Sequence, residues 1–372
     1  MRSLRLAVIP VLLILQTACQ SYVGASVGAS SQPKQSVSSK SSQQKTPATR
    51  MQGPQYEAYE QEVRKHWANN DYEWLEDQAR KLDVSKDRLP GGYWKLRVLY
   101  RSIEALVSDE SSDAAWQEHI ARVEHWTRQR PASAMARIIL ADVWRSYAWK
   151  VRGNGLANTV KPENWAPFKQ RHGKTTRILA EAAALEEKSP EWYVTALLAA
   201  RVETRDRAAS ERLYEEAVAR EPHYYYLYQA KVGYLLPQWH GEAGEWERFA
   251  EAAANKVGGD QGDIILFTIY GDLLSRTDPE FMSRRHAVAP RLVAGFRAID
   301  KLYGSSPQRL NEACLMSFFT DDSKTPAELM KRIGTAYDLN VWQDESFFNL
   351  FRQEALMRSG ELPRHRQPAQ KQ

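Results

Sequence analysis

Proline and glycine stops cut residues 54–358 into pieces of helix length. Pro190, Pro222, Pro237, Gly258-Gly259, Pro279, Pro307 and Pro326 separate segments of about 10 to 25 residues. Within the pieces, apolar and charged residues recur at helical spacing, as in 54–69, 72–82 and 93–107. Ser112-Asp113 can cap a helix that runs to Arg130, and Pro131 can open another that Gly153 stops. The two-residue alternation of a half-buried strand is almost absent. With no strands to build a sheet, the chain must bury its apolar stripes helix against helix. Short connections make neighbouring helices antiparallel. The expected architecture is therefore all-α, with about a dozen or more helices in one domain over 54–358.

The segment "RLYEEAVAREPHYYYLYQAKVGYLL" refines this reading. Tyr214, Ala217 and Pro222 stand at the offsets of a tetratricopeptide second helix and its closing proline. Ser210 and Ala230 are small where two helices must approach closely. Pro190 and Pro222 lie 32 residues apart, near the 34-residue tetratricopeptide period, whereas Pro131 and Pro190 lie 59 apart. The fold class expected is an irregular tetratricopeptide-like helical repeat, an α-solenoid of antiparallel helix pairs.

Three stretches then carry a family resemblance: "YWKLRVLY" at 93–100, "RPASAMARIILADVWRSYAWKVRG" at 130–153 and "YLLPQWHGEAGEWERFA" at 234–250. In their order and spacing they resemble the bacterial domain of unknown function 4034 family, over roughly 70–350. The resemblance implies tetratricopeptide-type helical proteins that are often exported. It brings no catalytic residues with it. His240 departs from it, standing where a second glycine is common.

The N-terminal residues read as an export signal. Arg2 and Arg5 precede an apolar run over 6–15, about half the roughly 20 residues that a spanning helix needs. Pro10 also argues against a permanent membrane helix. "QTAC" resembles the lipobox of bacterial lipoproteins, with Thr17 and Ala18 fitting and Gln16 in place of an aliphatic residue. The expectation is a signal peptide over 1–18 and a lipid-bearing Cys19. The rival is cleavage after Ala25, since Val23-Gly24-Ala25 is a fair small-residue site. Gln20 at the second mature position suggests the outer membrane, facing the periplasm. Residues 19–53 are rich in Ser, Gln, Gly, Ala and Lys and read as a flexible tether. Residues 359–372 read as a disordered basic tail.

Charge removes nucleic acid from the expected partners. The formal net charge is +5. Two positive charges lie in the leader, four in the tether and a net two in the tail, so 54–358 carries about −3. A nucleic-acid binder needs a basic stripe on its folded face.

Chemical motifs are scarce. "RHGKTT" at 171–176 lacks the first glycine of a phosphate loop, with Phe168 in its place. Eight histidines are scattered without metal-ligand spacing, and His119 and His125 point to different helix faces. Solvated or capping roles are expected of them. Asp321-Asp322 read as turn and cap residues, and Asp260 and Asp263 as a polar loop. Asp142, among Trp144, Tyr147 and Trp149, calls for a salt bridge to Arg145 or a neighbouring helix. Cys314 sits in "NEACLMSFF" and reads as a buried structural thiol. No Gly-x-Ser-x-Gly elbow occurs. No enzyme activity, metal or cofactor is expected.

Aromatic residues supply the candidate surface. Tyr225, Tyr228, Val232 and Leu235 share one helix face and read as core. Tyr224 and Tyr226 point elsewhere and, with Trp239, His240 and Trp246, could line a groove for a protein partner. The function expected is a non-enzymatic lipoprotein scaffold of the cell envelope, touching the membrane only through its lipid. The alternatives are a structural or protective accessory to a neighbouring gene's product, or a pocket between helix pairs for a small ligand or an enzymatic reaction.

Overall fold

Capping side chains set several of the helix starts. The computed structural model describes residues 51–153, 155, 157–185, 188–203, 206–274 and 281–363. The leader with Cys19, the tether up to residue 50, Pro279 and the tail from 364 lie outside them. The described residues form two compact units, 54–269 with 297–304 and 51–53 with 270–296 and 305–363.

In the larger unit, α1 (Pro54–Ala68) is followed by α2 (Tyr72–Ser85), whose N-cap Asp71 accepts a hydrogen bond from the Trp74 amide. The expected helix over 93–107 begins late. Tyr93–Trp94 (β2) instead pairs antiparallel with Arg88–Leu89 (β1), and α3 runs only from Lys95 to Glu104. The cause is Gly91-Gly92, whose φ values of 85° and 71° make a hairpin turn that residues with a Cβ rarely adopt. Then come α4 (Asp113–Gln129), α5 (Ala134–Arg152), α6 (Pro162–Ala183), α7 (Pro190–Glu203), α8 (Arg207–Arg220), α9 (Tyr225–Tyr234), α10 (Glu245–Val257) and α11 (Gly259–Leu274), the last five residues of which belong to the smaller unit. Ser112 caps α4 as expected. Pro131 does not open α5: it lies in the preceding turn, and Ser133 is the cap, accepting from the Ala136 amide at 3.1 Å. Gly153 ends the helix. "GGDQGD" is not a polar loop either, since the break is confined to Gly258 and α11 starts at the next residue.

From α1 to α10 each helix except α3 packs on the next one along the chain. Several also pack on the next but one: α1 on α3, α3 on α5, α5 on α7 and α7 on α9. That is the contact pattern of stacked helix pairs. The structure is all-α, as expected from the sequence, with the hairpin its only sheet among the described residues. α5 is buried almost all round, from Ala134 to Ala148, between α3, α4, α6 and α7. Ser210 and Ala230 are buried where small residues were needed.

The smaller unit contains α12 in part (Ala289–Tyr303), α13 (Pro307–Ser317), α14 (Thr325–Ile333), α15 (Leu339–Trp342) and α16 (Glu345–Ser359). Its core is aromatic, with Phe318, Trp342, Phe347 and Phe348 around Phe351. Buried Asn311 joins the pieces. Its side chain donates to the Pro307 and Ala336 carbonyls and accepts from the Asp338 amide and the Trp342 indole. Cys314 is fully buried, which raises its pKa and leaves it structural, as expected. Asp322 accepts from the amides of Lys324 and Thr325, the capping role read for it. Among the described residues no helix is long and apolar enough to cross a membrane.

Candidate functional site

The candidate aromatic residues fall in three places rather than one groove. Tyr224 is fully buried. Helical-face arithmetic sent it outward, but it is the N-cap of α9, not a helical residue, and its φ and ψ of −80° and 83° turn it inward. Its ring meets Trp94 edge-on at 4.6 Å and half-buried Tyr226 at 5.3 Å. Trp246 is likewise core, at 4% exposure. Neither can present a ring to a partner. Tyr225, Tyr228, Val232 and Leu235 are buried as expected.

Tyr224 leads into a buried ionic cluster. Its hydroxyl donates to Glu191 in the first turn of α7, and Arg97 of α3 engages the other Glu191 oxygen. Arg97, Arg101 and Glu104 lie on one face of α3 through their three- and four-residue spacing. Glu104 Oε2 lies 3.7 Å from Arg97 and 3.5 Å from Arg101. Arg101 is also 3.7 Å from Asp142 on α5, which Arg145 holds at 2.6 Å. Asp142 thus has both partners the sequence called for. Burial and the charge of Asp142 raise the Glu104 pKa to about 8, against the opposing pull of Arg97 and Arg101. Burial acts on Asp142 in the same upward direction, but Arg145 and Arg101 outweigh it and bring its carboxyl to about 2. Two carboxyls with opposed shifts are what acid–base catalysis uses. Here both side chains are only 1% exposed, so a substrate has no approach to them. The cluster clamps α3, α5, α7 and the start of α9 together.

Trp239 and His240 sit at the other end of α7. The ten helical steps from Glu191 to Arg201 span about 15 Å. His240 Nε2 is 2.8 Å from the Arg201 carbonyl, and its ring stacks on Tyr234. The Arg152 guanidinium lies 4.8, 5.5 and 5.7 Å from the rings of Trp149, Trp165 and Trp239. It also donates to the carbonyls of Gly153 and Gly155. This cage of tryptophans is filled by the chain's own cation. The two remaining candidates, Trp239 and His240, are half-buried around it.

Two histidines depart from the solvated role expected. His119 and His172 are buried, and burial lowers both to about 4. His125, on a different face of α4, is exposed. "RHGKTT" lies inside α6. Among the described residues no group of three or more His, Cys, Asp or Glu is placed to hold a metal ion.

A cleft of about 310 Å3 opens in the larger unit, between one face of α2, α3, the start of α5, the residue before α7 and the end of α8. Ala79, Leu96, Tyr100, Ala134 and Met135 give it an apolar floor. Glu76, Arg80, Asp83, Ser133, Ser189 and Arg220 supply its polar groups. Compared with protein-family models, curated proteins and solved structures, the chain matches none. The reading of the site therefore rests on this geometry.

The sequence analysis missed both the clamp and the cleft. The clamp had a faint signal: Arg97, Arg101 and Glu104 recur on a helix whose other residues are largely apolar. The cleft had none, because its walls come from five elements between residues 76 and 220. Chemically the clamp is buried, the tryptophan cage is filled, and the cleft is a concave surface open to a ligand among the described residues.

Proposed function

We propose that the protein is a non-enzymatic scaffold of the cell envelope, held at a membrane through Cys19 and presenting its helical body to a protein partner. One observation carries the reading. A basic start, an apolar run too short to span a bilayer, a cysteine after Thr17-Ala18 and a polar tether precede the stacked helices in that order. The resemblance to the domain of unknown function 4034 family supports the same compartment and the tetratricopeptide-like character of the stack. Stacked helix pairs suit the role, because each added pair extends a surface without changing the core.

The test is the mass of the mature N-terminus together with crosslinking of the native chain in intact cells. The expected result is a chain starting at Cys19 with added acyl mass, crosslinked to a defined envelope protein. A chain starting at Ser26 would remove the anchor. Abundant protein with no partner at any stoichiometry would remove the scaffold.

A further inference from the structure

The cleft of the larger unit has a one-sided supply of hydrogen-bonding groups. Its acceptors are already engaged. Glu76 takes the Trp126 indole on one oxygen at 3.0 Å and the Arg130 guanidinium on the other at 3.1 and 2.7 Å. Asp83 takes Lys86 on one oxygen at 3.3 Å and Arg220 on the other at 2.9 Å. Both carboxylates are thereby neutralised where they stand.

Of the donors, Arg220 is held by Asp83, whereas Arg80 and two serine hydroxyls have donor capacity to spare. The Arg80 side chain is 63% exposed, and its ion pair in the described residues is a 3.8 Å contact to Asp77. Lys81 holds that same carboxylate at 2.6 Å. The hydroxyls of Ser133 and Ser189 accept from the Ala136 and Trp192 amides, which leaves the hydrogen of each without an acceptor among the described residues. Ser133 is itself 8% exposed, so that hydrogen has little water to turn to. The cleft thus combines an apolar floor, free donors and one loosely held cation.

We infer that this cleft binds a small molecule with an anionic head, a carboxylate or a phosphate monoester, on a short apolar body. The head lies against Arg80 and the serine hydroxyls, and the body lies on Leu96, Tyr100 and Met135. A volume of about 310 Å3 is at the lower end of the range for small-molecule pockets, which fits a short chain rather than a folded segment. The inference goes beyond the scaffold reading and stands whether or not Cys19 carries lipid.

Calorimetric titration of the purified full chain with hexanoate, hexyl phosphate and the neutral hexanamide tests it. Each is also titrated into Arg80→Gln and into Ala132→Phe, which narrows the mouth of the cleft at an exposed turn residue. The expected result is saturable binding of at least one anion, with a Kd of about 1 mM or tighter. Hexanamide should bind about tenfold more weakly, and each variant should weaken the anion by about tenfold. Binding of one anion alone assigns the head group. Hexanamide binding as tightly as the anions, no saturable binding of either anion, or anion binding untouched by both substitutions would each overturn it. None of those results bears on the mature N-terminus, so the scaffold reading fails or stands separately.

Discussion

Glu104 and His119 give the larger unit two opposed pH dependences. Burial raises the folded Glu104 pKa from 4.5 to about 8, so between those values the native state keeps a proton that the unfolded chain has released. Its contribution to stability therefore falls as pH rises through that window. His119 runs the other way. Burial lowers it from 6.5 to about 4, and below pH 6.5 the unfolded chain takes up a proton that the native state refuses. Its contribution is lost as pH falls from 6.5 towards 4. The two slopes oppose each other at the acid end of the Glu104 window, and the fall due to Glu104 stands alone from about 6.5 to 8. Glu104→Gln should abolish that decline in urea midpoints measured across this range, leaving the acid-side loss intact. An unchanged slope would show that the proton is held elsewhere. Glu191→Ala is a harsher change. It leaves Arg97 buried without its closest partner and should cost about 3–5 kcal/mol in chemical unfolding. A cost below about 1 kcal/mol would mean that Arg97 reaches water once Glu191 is gone.

At the scale of elements, what could be read from the sequence follows the range of the interaction that decides it. Caps are local, so Ser112 and the stop at Gly153 were visible. Ser112→Ala should lower stability by about 1 kcal/mol, and Ser112→Asp should retain it, because a carboxylate accepts from the Ala115 amide equally well. Where two local signals competed, the reading failed. Helical periodicity over 93–107 outvoted Gly91-Gly92, yet the glycines decided the conformation of Tyr93 and Trp94. Glycines inside helices show a further limit, since their role depends on what packs across from them. Gly173, in the middle of α6, faces open space, and Gly173→Ala should stabilise by about 1 kcal/mol. Gly262 in α11 looks identical in sequence terms. A Cβ there would overlap the Ala254 carbonyl of α10, so Gly262→Ala should lower the melting temperature while Gly173→Ala raises it. Both substitutions shifting it the same way would contradict the close packing of α10 on α11.

For the whole molecule, the stacking of α1 to α10 was legible because nearest-neighbour packing needs only helix-length pieces and short loops. The cleft and the clamp were not, because they depend on which side chains meet across the stack. Charge also divides at this scale: the net positive character lies in residues 1–53 and 359–372, and the helical body is slightly acidic. Electrostatic attraction of that body to an anionic lipid surface is therefore weak, and a tether without acyl chains would not hold it there. Each buried methylene of an acyl chain contributes about 0.8 kcal/mol, so one chain gives marginal attachment and two or more give stable attachment. If Cys19 carries the anchor, Cys19→Ala should move the protein from the detergent phase to the aqueous phase on fractionation. Raised salt should release little of the unsubstituted chain, because its attachment would be hydrophobic. Release of the unsubstituted chain by salt alone would point instead to the lysines and Arg50 of the tether as the attachment. A Cys19→Ala chain that stays in the detergent phase would rule out the acyl anchor.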